Sequence, residues 1–378
     1  MNILFICGAL EPGKDGVGDY TRRLAGAIQS LGHRSSIIAL YDPYIAEDIV
    51  VDQPAENKAI PVLRISANTG DIDRYRRARE WADAFEPLWI SLQFVPYSFS
   101  PQGLPFNLAR QLITLVVKGR QLHIMFHEIW VGTENSMDWK RWLTATFQRK
   151  IIRRMISTMR PAVVHTQLPL AQNNLEAMAG HILPLPLFSN IDVFNQPSSP
   201  NNNELRIGFF SQAAASAPIL SFMEILCCNA RAAGNSVELW LIGGNPARMR
   251  EAGETINKKG LFNKISYTGF LNPEGISAAL QHCSLGITQV PRHALGKSGS
   301  VAAFIHHGIP VAAPIVQAGK NSSDIGFFSK NLRAAIVLSP GIHALTAAKN
   351  AAMKARQEID LQVIANMFID SIGQQSLR

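Results

Sequence analysis

The sequence is poor in charge and poorer still in acid. Only 17% of its 378 residues are charged, and 36 Lys and Arg outnumber 28 Asp and Glu, a formal net charge of +8. That balance excludes an acidic solvating chain and favours acidic partners: nucleotide phosphates, a phospholipid surface or an anionic polymer. Cysteine is scarce. Cys7, Cys227, Cys228 and Cys283 form no CxxC pair, so neither a disulfide framework nor a zinc site is indicated, and buried free thiols in a reducing compartment are expected. No apolar run reaches the length of a membrane-spanning helix. The opening MNILFICGAL lacks a basic leader and reads as a first buried strand, which predicts a cytoplasmic protein. No zinc finger or RNP motif is present, so nucleic acid is not an expected partner.

Core material, by contrast, is ample, at 47% hydrophobic residues. The chain is too long for one ordinary core, which predicts two domains. Apolar runs at Ile3–Cys7, Ser36–Leu40, Val62–Ile65, Leu88–Gln93, His123–Phe126 and Ala162–His165 alternate with helical patterns such as Leu24, Ala27, Ile28 and Leu31. That order predicts an α/β fold with a parallel sheet covered on both faces. From Leu183 to Asn203 the chain turns rich in Pro and Asn, with Pro184, Pro186, Pro197, Pro200, Asn190, Asn195 and Asn201, and reads as a linker. The pattern then restarts with strands at Arg206–Phe210, Val237–Ile242, Ile265–Thr268, Ser284–Thr288 and Pro310–Ala313 and helices at Ile219–Ala230 and Ser300–His307. The predicted organisation is an N-terminal domain over 1–185, a linker over 186–204, a second domain over 205–355 and a last helix within 356–378. Each half is predicted to be a Rossmann-like, doubly wound sheet, and ligands of such sheets sit outside the strands' carboxyl ends.

Four segments carry chemistry. Gly13–Arg22 places Gly16 and Gly18 between a strand and a helix, where free N–H groups meet an anion. Asp19 or Thr21 is the expected helix cap, and the ordinary alternative is a plain connecting loop. His127 and Glu128 follow the strand HIMF, so His127 points out of a strand end with Glu128 able to orient it. A satisfied core histidine is the competing reading. Gly296-Lys297-Ser298-Gly299-Ser300 opens a helix and offers a cation and two hydroxyls to a phosphate, with Arg292 and His293 just upstream. The plain alternative is an N-cap with a solvated lysine. Lys140, Arg141, Arg149, Lys150, Arg153, Arg154 and Arg160 form a basic helix face opposite Leu143, Phe147, Ile151 and Met155. That face reads as solvated or as a dock for an anionic membrane.

Together these pieces resemble the family 4 glycosyltransferases of the GT-B class, over most of the chain. The resemblance rests on MNILFICGALEPGKDGVGDYTRRLAGAIQSLGHRSSII, FHEIW, ELWLIGG, ISYTGFLNPEGISAALQHCSLGIT and HHGIPVAAP, in that order. It implies two Rossmann-like domains facing a central cleft, the last helix packing back on the first domain, and transfer of a hexose from a nucleotide-diphosphate donor to a hydroxyl of a saccharide, lipid-linked glycan or metabolite, as in polysaccharide biosynthesis. It implies donor contacts at Gly16, Gly18, Arg292, Lys297, Ser298, Gly299 and Ser300, catalysis near His127, and sugar or acceptor contacts at Asp19, Tyr20 and Glu128. Retention of anomeric configuration is implied too. No cofactor is implied, and with no metal cluster in the sequence, metal independence is expected. The chain departs from the family at two glutamates, whose positions are Leu295 and Ala303, and at a basic pair, whose loop is the uncharged SQAAASAP. Between Glu274 and Glu358 the only acid is Asp324. A non-catalytic relative that binds or activates a true transferase is therefore the alternative.

Overall fold

A computed structural model describes residues 1–116, 119–132, 138–194, 204–316 and 324–374. In chain order the elements are β1 (Asn2–Cys7), α1 (Gly16–Ser30), β2 (Arg34–Asp42), β3 (Ile49–Ala55), β4 (Lys58–Ser66), α2 (Asp71–Phe85), β5 (Trp89–Phe94), α3 (Leu108–Leu112), β6 (Gln121–Phe126), α4 (Trp139–Met159), β7 (Val163–Thr166), α5 (Pro169–Ala179) and β8 (Leu183–Pro184). They continue with β9 (Glu204–Phe210), α6 (Ala217–Ala232), β10 (Ser236–Ile242), α7 (Pro246–Asn257), β11 (Lys264–Gly269), α8 (Pro273–Gln281), β12 (Leu285–Ile287), α9 (Gly299–His306), β13 (Val311–Ala312), α10 (Lys330–Ala334), β14 (Ile336–Val337), α11 (Ile342–Ala355) and α12 (Leu361–Gly373). The chain divides into two compact units, Met1–Leu185 with Leu361–Arg378, and Pro186–Asp360. Asn195, Pro197, Pro200 and Asn201 of the expected linker lie outside the described residues.

The first unit is an eight-stranded sheet in the order β3-β4-β2-β1-β5-β6-β7-β8, parallel except for β3. Strand period decides its two faces. Leu4, Ile6, Ile90, Leu92, Leu122 and Ile124 point one way and pack with Ala78, Leu112, Ile152 and Leu175 of α2 to α5. Phe5, Ser91, Gln93, His123 and His165 point the other way, the side on which Phe368 of α12 lies, 5.9 Å from the Phe5 ring. The strand sequence missed β3. It is an exposed edge strand carrying Pro54, which an edge tolerates, and it turns into β4 through Glu56 and Asn57, both with positive φ.

The second unit is six parallel strands ordered β11-β10-β9-β12-β13-β14. Counted within the unit this is 3-2-1-4-5-6, the doubly wound order whose switch point falls between the first and fourth strands. Ile207 and Phe209 pack under Ile219, Met223 and Leu226 of α6. Val301, Phe304 and Ile305 of α9 pack with Ile242 and Val311 on the other side.

A buried ion pair ties the loop after β1 to the sheet. Asp42, at the end of β2, accepts from the Leu10 N–H (3.1 Å), the Tyr44 N–H (3.0 Å) and the Arg64 Nε (2.7 Å). Arg64 reaches on to Glu11 at 2.7 Å. Removing one partner of such a pair strands the other charge, at a cost of about 3–5 kcal/mol. Arg64→Met is therefore expected to lower the stability of the first unit by about that amount in chemical denaturation; a loss below about 1 kcal/mol would rank the pair with weak surface pairs.

Candidate functional site

In the second unit a cavity of about 410 Å³ opens at the switch point. Phe210, Ser211 and Gln212 line it from the end of β9, Val290 from beyond β12, and Lys297, Ser298, Gly299 and Ser300 from the start of α9, with Asn190 and Ile191 closing one side. Lys297 is the one charged residue among them. Ser298 caps α9, accepting from the Val301 N–H at 3.4 Å, and its hydroxyl lies 3.2 Å from that of Ser300. The space at this helix start is open, since a Cβ at Gly299 would meet nothing within 4 Å. Ser211 sits in the left-handed region at φ 67°, its N–H on the Ile242 carbonyl at 2.9 Å. Its own carbonyl presses on Gly244, where a Cβ would come within 2.2 Å, so the glycine pair after β10 makes room for the turn that shapes the cavity.

Arg292 does not line this cavity. Its Nε donates to the Ala313 carbonyl at 2.9 Å and a terminal nitrogen to the Leu338 carbonyl at 3.5 Å, so its charge is spent on the ends of neighbouring strands. His293 is buried beside it.

In the first unit the expected anion loop is differently organised. Asp15, not Asp19 or Thr21, caps α1, accepting from the Gly18 N–H at 2.6 Å. The helix start thus already holds a carboxylate, and burial raises the Asp15 pKa in spite of that bond. Gly18 has no N–H left for a phosphate, and its missing side chain serves packing, since a Cβ would stand 2.6 Å from the Ala9 carbonyl. Gly16 remains open. Asp19 accepts from the Gly13 N–H at 3.1 Å and pairs with Arg22. Tyr20 is buried, its ring edge-on to His127 at 4.9 Å. It supports His127 from within rather than facing an acceptor.

His127 leaves the end of β6 with its backbone N–H on the Phe94 carbonyl at 3.1 Å. Its side chain is 7% exposed. Its Nε2 meets the Gln93 Oε1 at 2.9 Å. Gln93, rather than the exposed Glu128, orients it. Burial pushes the His127 pKa down to about 3, so the ring is neutral at physiological pH and is not poised for proton transfer there. Gln93 in turn donates to the Ser91 Oγ at 2.8 Å, Ser91 meets the His123 Nδ1 at 2.8 Å, and the His123 Nε2 meets the His165 Nδ1 at 2.9 Å. The polar positions inside WISLQF were the signal for this chain. Among the described residues no group of three or more His, Cys, Asp or Glu is arranged to hold a metal ion.

No family model and no curated protein sequence matches the chain. Solved structures do. HepE from Anabaena, in complex with UDP and glucose, is 16% identical with a TM-score of 0.59, covering 99% of this chain and 100% of that one. Sucrose-phosphate synthase from Thermosynechococcus elongatus is 14% identical at a TM-score of 0.58, covering 98% and 94%. The lipopolysaccharide outer core galactosyltransferase WaaB is 9% identical at 0.59, covering 99% and 100%. The fold is that of the GT-B glycosyltransferases.

The two positions at which the family resemblance implies glutamates are core residues in this fold. Leu295 is 1% and Ala303 0% exposed, packed with Val301, Phe304 and Phe327. An acid at either position would be an unpaired buried charge.

Burial lowers the pKa of three histidines in the first unit: His127 and His165 to about 3, and His123 well below the usual range. Unfolded, each takes a proton near pH 6.5, so the stability they contribute is complete above that pH and is lost as pH falls toward 3. Each ring gives a slope of about 1.4 kcal/mol per pH unit in that window. Stability measured against pH is expected to fall steeply there, and His165→Gln is expected to remove about a third of the histidine part of the slope. An unchanged slope would mean that His165 is not held neutral.

Proposed function

We propose that the chain is a glycosyltransferase, related to family 4, that binds a nucleoside-diphosphate sugar in the second unit and transfers its hexose to a hydroxyl acceptor. The observation that carries this reading is the switch-point cavity with Lys297, Ser298 and Ser300 on its wall. It is large enough for a small ligand, polar at one end, and opens where doubly wound sheets hold nucleotides. Lys297 and the α9 helix start are assigned to the diphosphate, with the Ser298 and Ser300 hydroxyls beside them. The UDP complex of HepE supports a uridine nucleotide as the first donor to test.

Catalysis rests on positioning and on stabilising the departing diphosphate. His127 has the role of a neutral hydrogen-bonding group near the reacting sugar, and Gly16 stays available to the donor. Glu128, exposed, and the neighbouring loops take the acceptor. Retention is the proposed stereochemistry. Thermal shift with UDP, GDP, ADP and CMP is the test, because a ligand of the folded state raises the midpoint by mass action. One nucleotide is expected to shift it, and Lys297→Ala to weaken that ligand by about 1.5–3 kcal/mol, the worth of a charged contact. Silence with every nucleotide and sugar nucleotide at millimolar concentration would favour a non-catalytic binding partner instead.

A second feature bears on the acceptor. The apolar stripe of α4 splits: Ile151, Ile152, Met155 and Met159 are buried, while Trp139 (67%), Trp142 (56%), Leu143 and Phe147 are exposed, beside Phe106. The helix carries no acid. Aromatic residues among basic ones suit the surface of an anionic bilayer and a lipid-linked acceptor. Among the described residues no helix is long and apolar enough to cross a membrane. The protein is expected to co-sediment with vesicles containing phosphatidylglycerol but not with phosphatidylcholine alone, and Trp142→Ser with Phe147→Ser to release it. Equal behaviour of the two vesicles would remove the membrane from the proposal.

A further inference from the structure

The face of the first sheet under α12 is unusual for a parallel sheet, whose strands are ordinarily apolar on both sides. Ser91 and Gln93 on β5, His123 on β6 and His165 on β7 are all buried there. They form one unbroken chain of hydrogen bonds that begins at His127. The far end is closed by Phe368, whose ring stands edge-on to His123 at 5.0 Å. A polar chain in a core is tolerated when every member is satisfied and is costly when one is not.

Its directions follow from valence. The Gln93 Oε1 only accepts, so the His127 Nε2 facing it carries the ring proton. The Gln93 amide nitrogen donates to Ser91, which leaves the Ser91 hydroxyl proton for the His123 Nδ1. The His123 proton is then on Nε2, facing the His165 Nδ1. This amide orientation is the one the network assigns. While the Ser91 proton goes to His123, Ser91 can only accept from Gln93, so the His127 end of the chain reverses only if the Gln93 amide rotates and the His127 tautomer changes with it.

We propose that Gln93, Ser91, His123 and His165 are positioning residues that fix His127 in a single orientation and tautomer, with its proton on Nε2. That leaves the His127 Nδ1 as the ring's acceptor, open to a donor such as a ligand hydroxyl. The unoccupied side of Gln167 adds to this. It is buried, it follows the β7 residue paired with the residue before His127, and its Nε2 has no partner among the described residues. An imidazole with a set tautomer offers a sugar a defined donor–acceptor edge, as second-layer partners do for histidines elsewhere. The importance of His127 to turnover rests on the transferase reading; the locked tautomer does not.

The experiment is nitrogen-15 NMR of histidine-labelled protein, in which protonated and unprotonated ring nitrogens are separately resolved. His127, assigned by its loss in His127→Asn, is expected to be a single Nε2–H tautomer in the native protein. In Ser91→Ala, which cuts the chain at its middle, both tautomers are expected; Ser91→Thr keeps the hydroxyl and restores one. If Ser91→Ala does not fold, Gln93→Met, which keeps chain length and removes both amide atoms, gives the same reading. A native Nδ1–H ring or a mixture overturns the proposal. So does a single tautomer that survives the variants, for then the chain is only core. With a donor that turns over, kcat is expected to fall about ten- to a hundredfold in Ser91→Ala with donor KM little changed, the size seen for second-layer partners. If no donor turns over in the native protein, the transferase reading fails while the NMR result stands by itself.

Discussion

A parallel strand is reached only by a crossover, and in each sheet the crossovers change side at its first strand. β1 lies between β2 and β5, and β9 between β10 and β12. Loops leaving the two strands at such a point part to opposite faces and cannot fill the space between their ends. In the second unit that space is the cavity, and its wall is built from what the switch leaves behind: the turn at Ser211, the stretch around Val290 and the start of α9. The left-handed Ser211, the glycine at 244 and the capping Ser298 are local answers to that demand. In the first unit the same reversal sets β5 beside β1 with β6 next to it, and the β5–β6 pairing brings Gln93 to His127.

Charge is distributed sparingly over this frame. The cavity has one cation on its wall and no acid, and the nearby guanidinium of Arg292 is turned onto carbonyl groups. A diphosphate held there meets a point charge, two hydroxyls and a helix start. A helix start contributes about 0.3–1 kcal/mol toward an anion in exposed settings, so Lys297 carries most of the electrostatic load. In the first unit the helix after the first strand is arranged differently, with Asp15 at the N-terminus of α1 and Asp19 paired with Arg22.

The strands and most of the helices were legible because burial on both sides writes apolar runs that no loop shares, as in NILFIC, WISLQF and ELWLI. β3 was not, because an edge strand with one residue buried in seven carries no such run. The cap of α1 was misplaced by four residues because Asp15 and Asp19 are chemically equal in sequence, and only backbone geometry separates a cap from a residue one turn on. The GKSGS loop was legible as a cation with hydroxyls at a helix start, while Asn190, Phe210 and Gln212, which line the cavity with it, come from other segments and carry no motif. The stripe on α4 was read as one face. Ala145, Ile152 and Met155 pack into the core, while Trp142 and Phe147 stay exposed.

The reading of His127 changes most between pattern and packing. A histidine at a strand end suggests an acid or base titrating near neutrality. Tyr20 against its face and Gln93 on its edge instead desolvate the ring and hold it neutral. General acid–base work needs a group whose pKa lies near the working pH, and a ring lowered to about 3 transfers a proton poorly at pH 7. What such a ring does well is hold a fixed hydrogen bond without the cost of reorienting when charge develops. The buried chain behind His127 supplies the partners that hold that bond in place.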